Sequence, residues 1–184
     1  MHYAEIKEYD IANGPGIRLT LFVSGCTHHC KECFNPETWD FNFGEPFTRE
    51  VEDRIIEMLK DDSYQGLTLL GGEPMEPANQ KALLPFLKRV REEVPGKDIW
   101  CFTGYLFDDD LLGRMAKKLT ETRPLLELID VLVDGEFKIE LKNINLLYKG
   151  SSNQRTIDVP ASLKAGEIIT WDPGSTSISA CVRI

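Results

Sequence analysis

The stretch Val23-Ser24-Gly25-Cys26-Thr27-His28-His29-Cys30-Lys31-Glu32-Cys33-Phe34-Asn35-Pro36 places three of the chain's five cysteines within eight residues, spaced Cys-x3-Cys-x2-Cys. Thiolates this close in a relaxed loop do not readily pair with one another, but all of them can face one metal centre. Soft sulfur ligands select zinc, copper(I) or iron–sulfur clusters over magnesium and calcium. The count of three is informative. A four-iron cluster held by three thiolates has one iron without a protein ligand, open to a reacting group, whereas structural zinc sites and structural clusters are more usually closed by four ligands. Two plainer readings stand beside this one. The cysteines can be structural, since a free cysteine packs as a small hydrophobe, or they can hold zinc with His28, His29 or the distant Cys101 as the fourth ligand.

The rest of the chain bounds the class. At 184 residues one domain over 1–184 is expected, with residues from about 160 as a C-terminal extension. A hydrophobic content of 42% and a charged content of 28% describe an ordinary globular chain. The beginning, Met1-His2-Tyr3-Ala4-Glu5-Ile6, has no basic segment followed by an apolar stretch, and no run approaches a membrane span. Cysteines without an export signal point to a reducing cytoplasm, where metal binding is favoured over disulfides. A net charge of −9 counts against nonspecific binding to nucleic acid or anionic lipid.

Taken in order, Asn13-Gly14-Pro15-Gly16 reads as a turn, and Ile17 to Val23 as a buried strand running into the cysteine loop. Asp40 to Pro46 reads as an irregular connection whose Phe41 and Phe43 pack. Thr48 is a candidate N-cap for a helix from about Arg49 to Lys60, with Val51, Ile55, Met58 and Leu59 on its core face. Leu67 to Leu70 is a second strand, ending at Gly71-Gly72-Glu73-Pro74. A second helix covers about Asn79 to Glu93, and Pro85 within it predicts a kink or a later start. Ile99 to Phe102 is a third strand, leading into Thr103-Gly104-Tyr105. Asp108 to Asp110 would cap a third helix with Leu111, Met115 and Leu119 on its core face. Leu125 to Ile129 is a short apolar segment before a fourth strand, Val131 to Val133, and Asp134-Gly135. Lys149 to Arg155 is a polar loop, and Thr156–Val159 and Glu167–Thr170 read as short extended pieces.

Alternating strands and helices imply crossover units and a parallel sheet, whose ligands collect at the carboxyl ends of the strands. Four Gly-bearing or cysteine-bearing loops fall at such ends, so one shared site is expected. A complete eight-unit barrel needs about 250 residues, so the fold class expected is α/β, a partial (open) β/α barrel. In Gly71-Gly72 the absence of β-carbons lets backbone approach a ligand, exposed carbonyls can accept from an ammonium group, and Glu73 adds a matching negative charge. A plain tight turn is the simpler reading of that motif taken alone.

These residues resemble the radical S-adenosylmethionine (SAM) enzymes: Cys26-x3-Cys30-x2-Cys33 is similar to their defining motif, and Gly71-Gly72-Glu73-Pro74 to their SAM-binding stretch. A narrower resemblance is carried by Asn13-Gly14-Pro15-Gly16-Ile17-Arg18, the Ser24–Pro36 loop with Glu37-Thr38-Trp39-Asp40, Thr103-Gly104-Tyr105, Val133-Asp134-Gly135-Glu136-Phe137 and Gly150-Ser151-Ser152-Asn153-Gln154-Arg155. Together these look like the activases of anaerobic (class III) ribonucleotide reductases, over about residues 13 to 159.

The resemblance implies a [4Fe–4S] cluster on Cys26, Cys30 and Cys33, and SAM on its open iron. Electron transfer into the cluster would cleave SAM to methionine and a 5′-deoxyadenosyl radical. That radical would take hydrogen from a backbone glycine of the reductase large subunit, so the cofactors rather than any side chain carry the chemistry. A flavodoxin-type protein is the electron donor expected by the same resemblance. Many superfamily members carry an aromatic residue before the third cysteine. Here that residue is Glu32, so the adenine is expected on the backbone around Glu32, Cys33 and Phe34. Gly71, Gly72, Glu73, Thr103 and Tyr105 complete the expected SAM pocket. His28 and His29 read as loop-packing or supporting groups, Trp39 as core or interface, and Cys101 and Cys181 as structural or free thiols. Asn153 and Arg155 are candidates for ligand or partner contact. Two alternatives stand beside this reading: an activase of another glycyl radical enzyme, of pyruvate formate-lyase type, and a non-enzymatic zinc-binding interaction module.

Overall fold

The computed structural model describes residues 1–175 of the chain. One seven-stranded sheet, in the order β3-β1-β2-β4-β5-β6-β7, carries the fold. Its centre is the parallel set β2 (Ile17–Val23), β4 (Tyr64–Gly71), β5 (Asp98–Phe102) and β6 (Val131–Asp134). Antiparallel strands flank it: β1 (His2–Asp10) on β2, the two-residue β3 (Glu45–Pro46) on β1, and β7 (Arg155–Asp158) on β6. The sheet does not close, and the expected open β/α architecture stands. Among the described residues no helix is long and apolar enough to cross a membrane.

Side-chain alternation along the strands separates two faces. Leu19, Leu21, Val23, Leu67, Leu69, Ile99, Cys101 and Leu132 pack outward against α1 (Arg49–Leu59) and α2 (Pro77–Glu93), which contribute Ile55, Leu59, Leu83, Phe86 and Leu87. The intervening Phe22, Leu70 and Phe102 turn to the concave side and line a cavity. Deeper on that side Trp100 meets Tyr148 and Trp171 edge-on, at centroid distances of 5.2 and 4.9 Å. At the opposite end from the strands' carboxyl termini, the fully buried Arg18 plugs the concave face. Its Nε donates to Thr68 Oγ1 at 2.6 Å, it pairs with Asp98, and its guanidinium lies 5.5 Å from the Trp100 ring centroid. A buried guanidinium is tolerable only with such satisfaction.

Several expectations are corrected. Helix α2 begins at Pro77, before Asn79 rather than later, and continues through Pro85. Pro85 is exposed, so the carbonyl it deprives of a partner faces water rather than the core. Thr48 does sit at the N-cap of α1, but its side chain makes no capping hydrogen bond. The acid-rich third helix is a π-helix, Phe107–Met115, with the Leu111 N–H bonded to the Leu106 carbonyl at 2.9 Å, and it buries Phe107 and Leu111. The apolar segment after it is helical, α3 (Thr122–Leu126), and a fourth helix, α4 (Val159–Ala165), follows β7. Of the extended piece at 167–170, only a single bridge from Thr170 to Ile157 forms. Strand β1 was not anticipated. Its outer residues are polar and largely exposed, so only the pairing with β2 makes it a strand.

Candidate metal centre

The four parallel strands deliver their carboxyl ends to one cavity of about 520 Å³. Its wall takes Cys26, Cys30 and Cys33 from the loop after β2, Gly71, Gly72 and Glu73 from β4, Thr103 and Gly104 from β5, and Gly135 from β6. The convergence expected from chain order is therefore present in space.

Backbone contacts shape the cysteine loop. The Gly25 and Cys26 N–H groups donate to the carbonyls of Thr38 and Trp39, at 2.8 and 3.2 Å, so the short 3₁₀ turn Pro36–Trp39 folds back on the loop's first cysteine. Cys30 to Cys33 form a tight turn closed by the Cys33 N–H on the Cys30 carbonyl at 3.1 Å, with Glu32 at φ +58°. His29 also takes a left-handed φ of +52°, and such conformations in non-glycine residues cluster at functional sites. Burial pushes the Cys26 thiol up to about 12, against the hydrogen bonds from the backbone of His28 and His29. Burial likewise pushes Cys30 up to about 11, with Glu136 adding to the rise and the Phe137 backbone opposing it. Without a metal these two thiols hold their protons at neutral pH, and ligation must displace them.

The Gly-Gly-Glu segment performs a task the sequence did not reveal. A β-carbon on Gly72 would stand 2.7 Å from the Gly25 carbonyl and 2.9 Å from that of Thr38, while Gly71 sits at φ +105°. The Gly72 and Glu73 N–H groups donate to the carbonyls of Val23 and Gly25, at 2.7 and 2.9 Å. The glycines thus let the two loops touch, backbone to backbone. Glu73 is buried, and its carboxylate is held inside the protein. Oε1 accepts from the Met75 N–H and the Thr103 hydroxyl, at 2.8 and 2.7 Å, and Oε2 from the Gly104 N–H at 2.7 Å. His28 Nε2 lies 3.1 Å from Oε2 without a well-aligned hydrogen bond, close enough to form an ion pair when the imidazole is protonated. The Glu73 carboxylate raises the imidazole pKa above its ordinary value, and burial opposes the rise.

Other expected residues are sorted by the geometry. Phe34 lines the cavity, 63% exposed at its mouth, against Phe137 at 5.1 Å. The Glu32 side chain is exposed and lies outside the cavity wall. Tyr105 stands behind the wall, its ring 4.4 Å from that of His28 and its hydroxyl 3.4 Å from Glu76 Oε1. Arg155 is not among the residues lining the cavity: it pairs with the buried Asp134 and with Asp108. Asn153 Nδ2 donates to the Glu136 carbonyl at 2.8 Å, while Gln154 lines the cavity and holds the Gly135 carbonyl at 2.9 Å. Cys101 is buried in β5 as a free thiol, and Cys181 lies outside the described residues.

Sequence reasoning missed Glu76 and Asn79. Glu76 Oε1 takes the N–H and hydroxyl of Thr27, at 2.9 and 2.5 Å, and Asn79 Nδ2 bridges the carbonyls of Ser24 and Glu73. The available signal was a set of polar residues, Glu76, Asn79 and Gln80, on the buried side of a helix start.

The residues suit an iron–sulfur cluster. The donors are soft thiols on one wall, backbone N–H groups already point at cysteine sulfurs, and the glycines opposite carry no side chains into the space. Among the described residues no three His, Cys, Asp or Glu side chains gather tightly enough to share one metal ion. Thiolates of a cluster each take a different iron and need not converge so closely. Fold and site together define a protein built around a single cluster, and residues 12–157 match the family model described as a 4Fe-4S single cluster domain.

The chain is 46% identical over 156 residues to the anaerobic ribonucleoside-triphosphate reductase-activating protein of Escherichia coli (strain K12), covering 84% of this chain and 96% of that one. The protein of the same name from Haemophilus influenzae is also 46% identical over 156 residues, covering 84% and 96%. That of Enterobacteria phage T4 is 38% identical over 155 residues, covering 84% and 92%. The chain belongs to the family of anaerobic ribonucleoside-triphosphate reductase-activating proteins.

Proposed function

We propose that this protein is a radical SAM activase, working in the cytoplasm, whose substrate is a backbone glycine of the anaerobic ribonucleotide reductase large subunit. The observation that carries the reading is the shared cavity, in which the three-cysteine loop and the Gly71-Gly72-Glu73 loop touch through their backbones. When bound, the [4Fe–4S] cluster and SAM would supply the reductive cleavage of a sulfonium and the radical that takes hydrogen from glycine.

The chain's own residues would bind and position. Cys26, Cys30 and Cys33 hold the cluster. Backbone groups of Gly71, Gly72 and Glu73 receive the amino group of SAM, and the backbone from Glu32 through Cys33 to Phe34 receives its adenine. Thr103 anchors Glu73, and Tyr105 supports His28 from behind, so both keep the pocket's shape. A protein substrate has to close the cavity, because a radical site must be kept from water and stray hydrogen donors. The mouth suits that task. Phe34 and Leu146 line the cavity, and Ile144, 88% exposed, and Leu147 are exposed apolar side chains of the same segment as Leu146. A flavodoxin-type protein fits the role of electron donor.

The test is anaerobic. Cluster-reconstituted protein with a one-electron reductant and SAM should release 5′-deoxyadenosine and methionine, and Cys30→Ala should not. Adding the reductase subunit should then produce a glycyl radical signal by electron paramagnetic resonance. Absence of iron and product, with zinc tightly bound, would sink the enzyme reading.

A further inference from the structure

A second apolar cluster lies on the concave face, separate from the main core: Trp100, Val131 and Val133 are buried, and Phe102, Tyr148 and Trp171 pack against them. Two of its members, Phe102 and Tyr148, also line the cavity. Trp171 comes from beyond residue 157, where the match to the family model ends. A short strap brings it there. The Asp158 N–H donates to the Ile169 carbonyl and the Trp171 N–H to the Thr156 carbonyl, both at 2.9 Å, and Thr170 is bridged to Ile157, so 169–171 runs along β7. The Trp171 ring then stands edge-on to Trp100 at 4.9 Å, and 6.2 Å from the ring of Tyr148.

Tyr148 belongs to an excursion of the chain, 142–151, that has to be held in place. Its base is closed by the Asn143 N–H on the Gly150 carbonyl at 3.2 Å and the Ser152 N–H on the Leu141 carbonyl at 2.9 Å. Within it, the Asn145 and Leu146 N–H groups bond back to Asn143, which does not tie the tip to the sheet. The Tyr148 ring does, edge-on to Trp100 at 5.2 Å. Tyr148 also takes a left-handed φ of +56°, and a bulky residue keeps that conformation only where its surroundings over-determine it. Leu146, Tyr148, Lys149 and Gly150 all line the cavity, so whatever fixes Tyr148 fixes that wall.

We infer that Trp171 is a positioning residue: through Tyr148 it holds the 146–150 wall of the cavity in the shape that binds SAM. The identity of that ligand rests on the radical SAM reading. Removing the Trp171 ring leaves a void beside Tyr148, and relief of the left-handed backbone then favours departure of the segment. Both effects act in one direction. A stretch outside the family-model match thus bears on the site, although it contributes no residue to the cavity wall.

In the full-length, metal-free protein, Trp171→Ala should speed hydrogen exchange of the 143–149 amides several-fold while those of β4 and β5 are unchanged. Trp171→Phe, which keeps a ring against Trp100, should stay near the wild type. Leu163→Ala is the control, because Leu163 belongs to the same C-terminal stretch but packs on the main core. It should leave the 143–149 exchange as it is. Unchanged exchange in Trp171→Ala, or an equal rise in Leu163→Ala, overturns the inference. In reconstituted protein, the SAM concentration that half-saturates 5′-deoxyadenosine release should rise several-fold in Trp171→Ala and recover in Trp171→Phe, with little change in the rate at saturation. An unchanged half-saturation point overturns the positioning role. If the wild type releases no 5′-deoxyadenosine, the activase reading fails, and the exchange experiment alone decides whether Trp171 holds the wall.

Discussion

Asn79 reaches from the first turn of α2 to the start of the cysteine loop, where its side-chain amide donates to the carbonyl of Ser24 at 3.0 Å. The same amide nitrogen holds the Glu73 carbonyl at 2.9 Å, so one buried side chain ties the two loops that form the cavity.

Asn79→Ala leaves the buried Ser24 carbonyl without its donor, while the Glu73 carbonyl keeps the Glu76 N–H at 3.1 Å. An unsatisfied buried group costs about 1–3 kcal/mol, so a loss of that size is expected, or roughly 2–12 °C in Tm for a chain of this size. Calorimetry checks the figure. A variant as stable as the wild type would mean that the loops hold each other without Asn79.

Gly72→Ala forces a methyl group onto the Gly25 and Thr38 carbonyls, at 2.7 and 2.9 Å. Both neighbours are backbone and cannot rotate away, so the two loops must separate. Overpacking of this kind costs about 1–3 kcal/mol. The expected signature is iron uptake well below the wild type in reconstitution while the far-ultraviolet circular dichroism spectrum is unchanged. Full iron uptake would refute the backbone-contact role.

The Arg155 ion triad predicts a pH dependence. Arg155 beside Asp108 holds that carboxyl below its ordinary value, with burial opposing. A carboxyl whose folded pKa is depressed contributes stability above its unfolded value, near 4, and loses it as pH falls through the folded one. The stability gap between wild type and Asp108→Asn should therefore be constant at neutral pH and close in acid. It should be under about 1 kcal/mol, since Asp108 is half exposed. Asp134→Asn is different: Asp134 is fully buried, pairs with Arg155 and accepts the Phe107 N–H at 2.8 Å. Breaking a buried pair costs about 3–5 kcal/mol. Denaturant titrations at pH 7 distinguish the two by size, and the Asp108→Asn gap measured again at pH 3 checks its closing in acid.

In the segment that carries the cavity-lining Leu146, Ile144→Glu should leave folding within about 0.5 kcal/mol of the wild type, as expected for a surface site. The side chain is 88% exposed. If the protein substrate covers this rim, the variant should release 5′-deoxyadenosine normally without reductase yet yield far less glycyl radical with it. Equal radical yields at limiting reductase would remove Ile144 from the contact.

The local parts of the fold were legible because each was announced within a few residues. Strands β2, β4, β5 and β6 show as short apolar runs, and α1 as a periodic face. The open parallel architecture follows from their alternation. Pro85 misled about where α2 starts because propensity reports the cost of a missing N–H, not whether the freed carbonyl faces water. Strand β1 was invisible because its polar outer residues are made extended by partners, not by their own pattern.

For the site the division is similar. Spacing alone marked Cys26, Cys30 and Cys33, and strand order alone predicted that Gly71-Gly72-Glu73 and Thr103-Gly104 would meet them. Only the tertiary structure decided how they meet. It set Glu73 on Thr103, Gly104 and His28, placed Tyr105 behind the wall and brought Trp39 to the cavity wall. These are contacts between residues distant in the chain. Sequence determines which groups are available and where each element begins and ends. The direction in which a buried polar atom points depends on which acceptors the packed fold brings within hydrogen-bond reach.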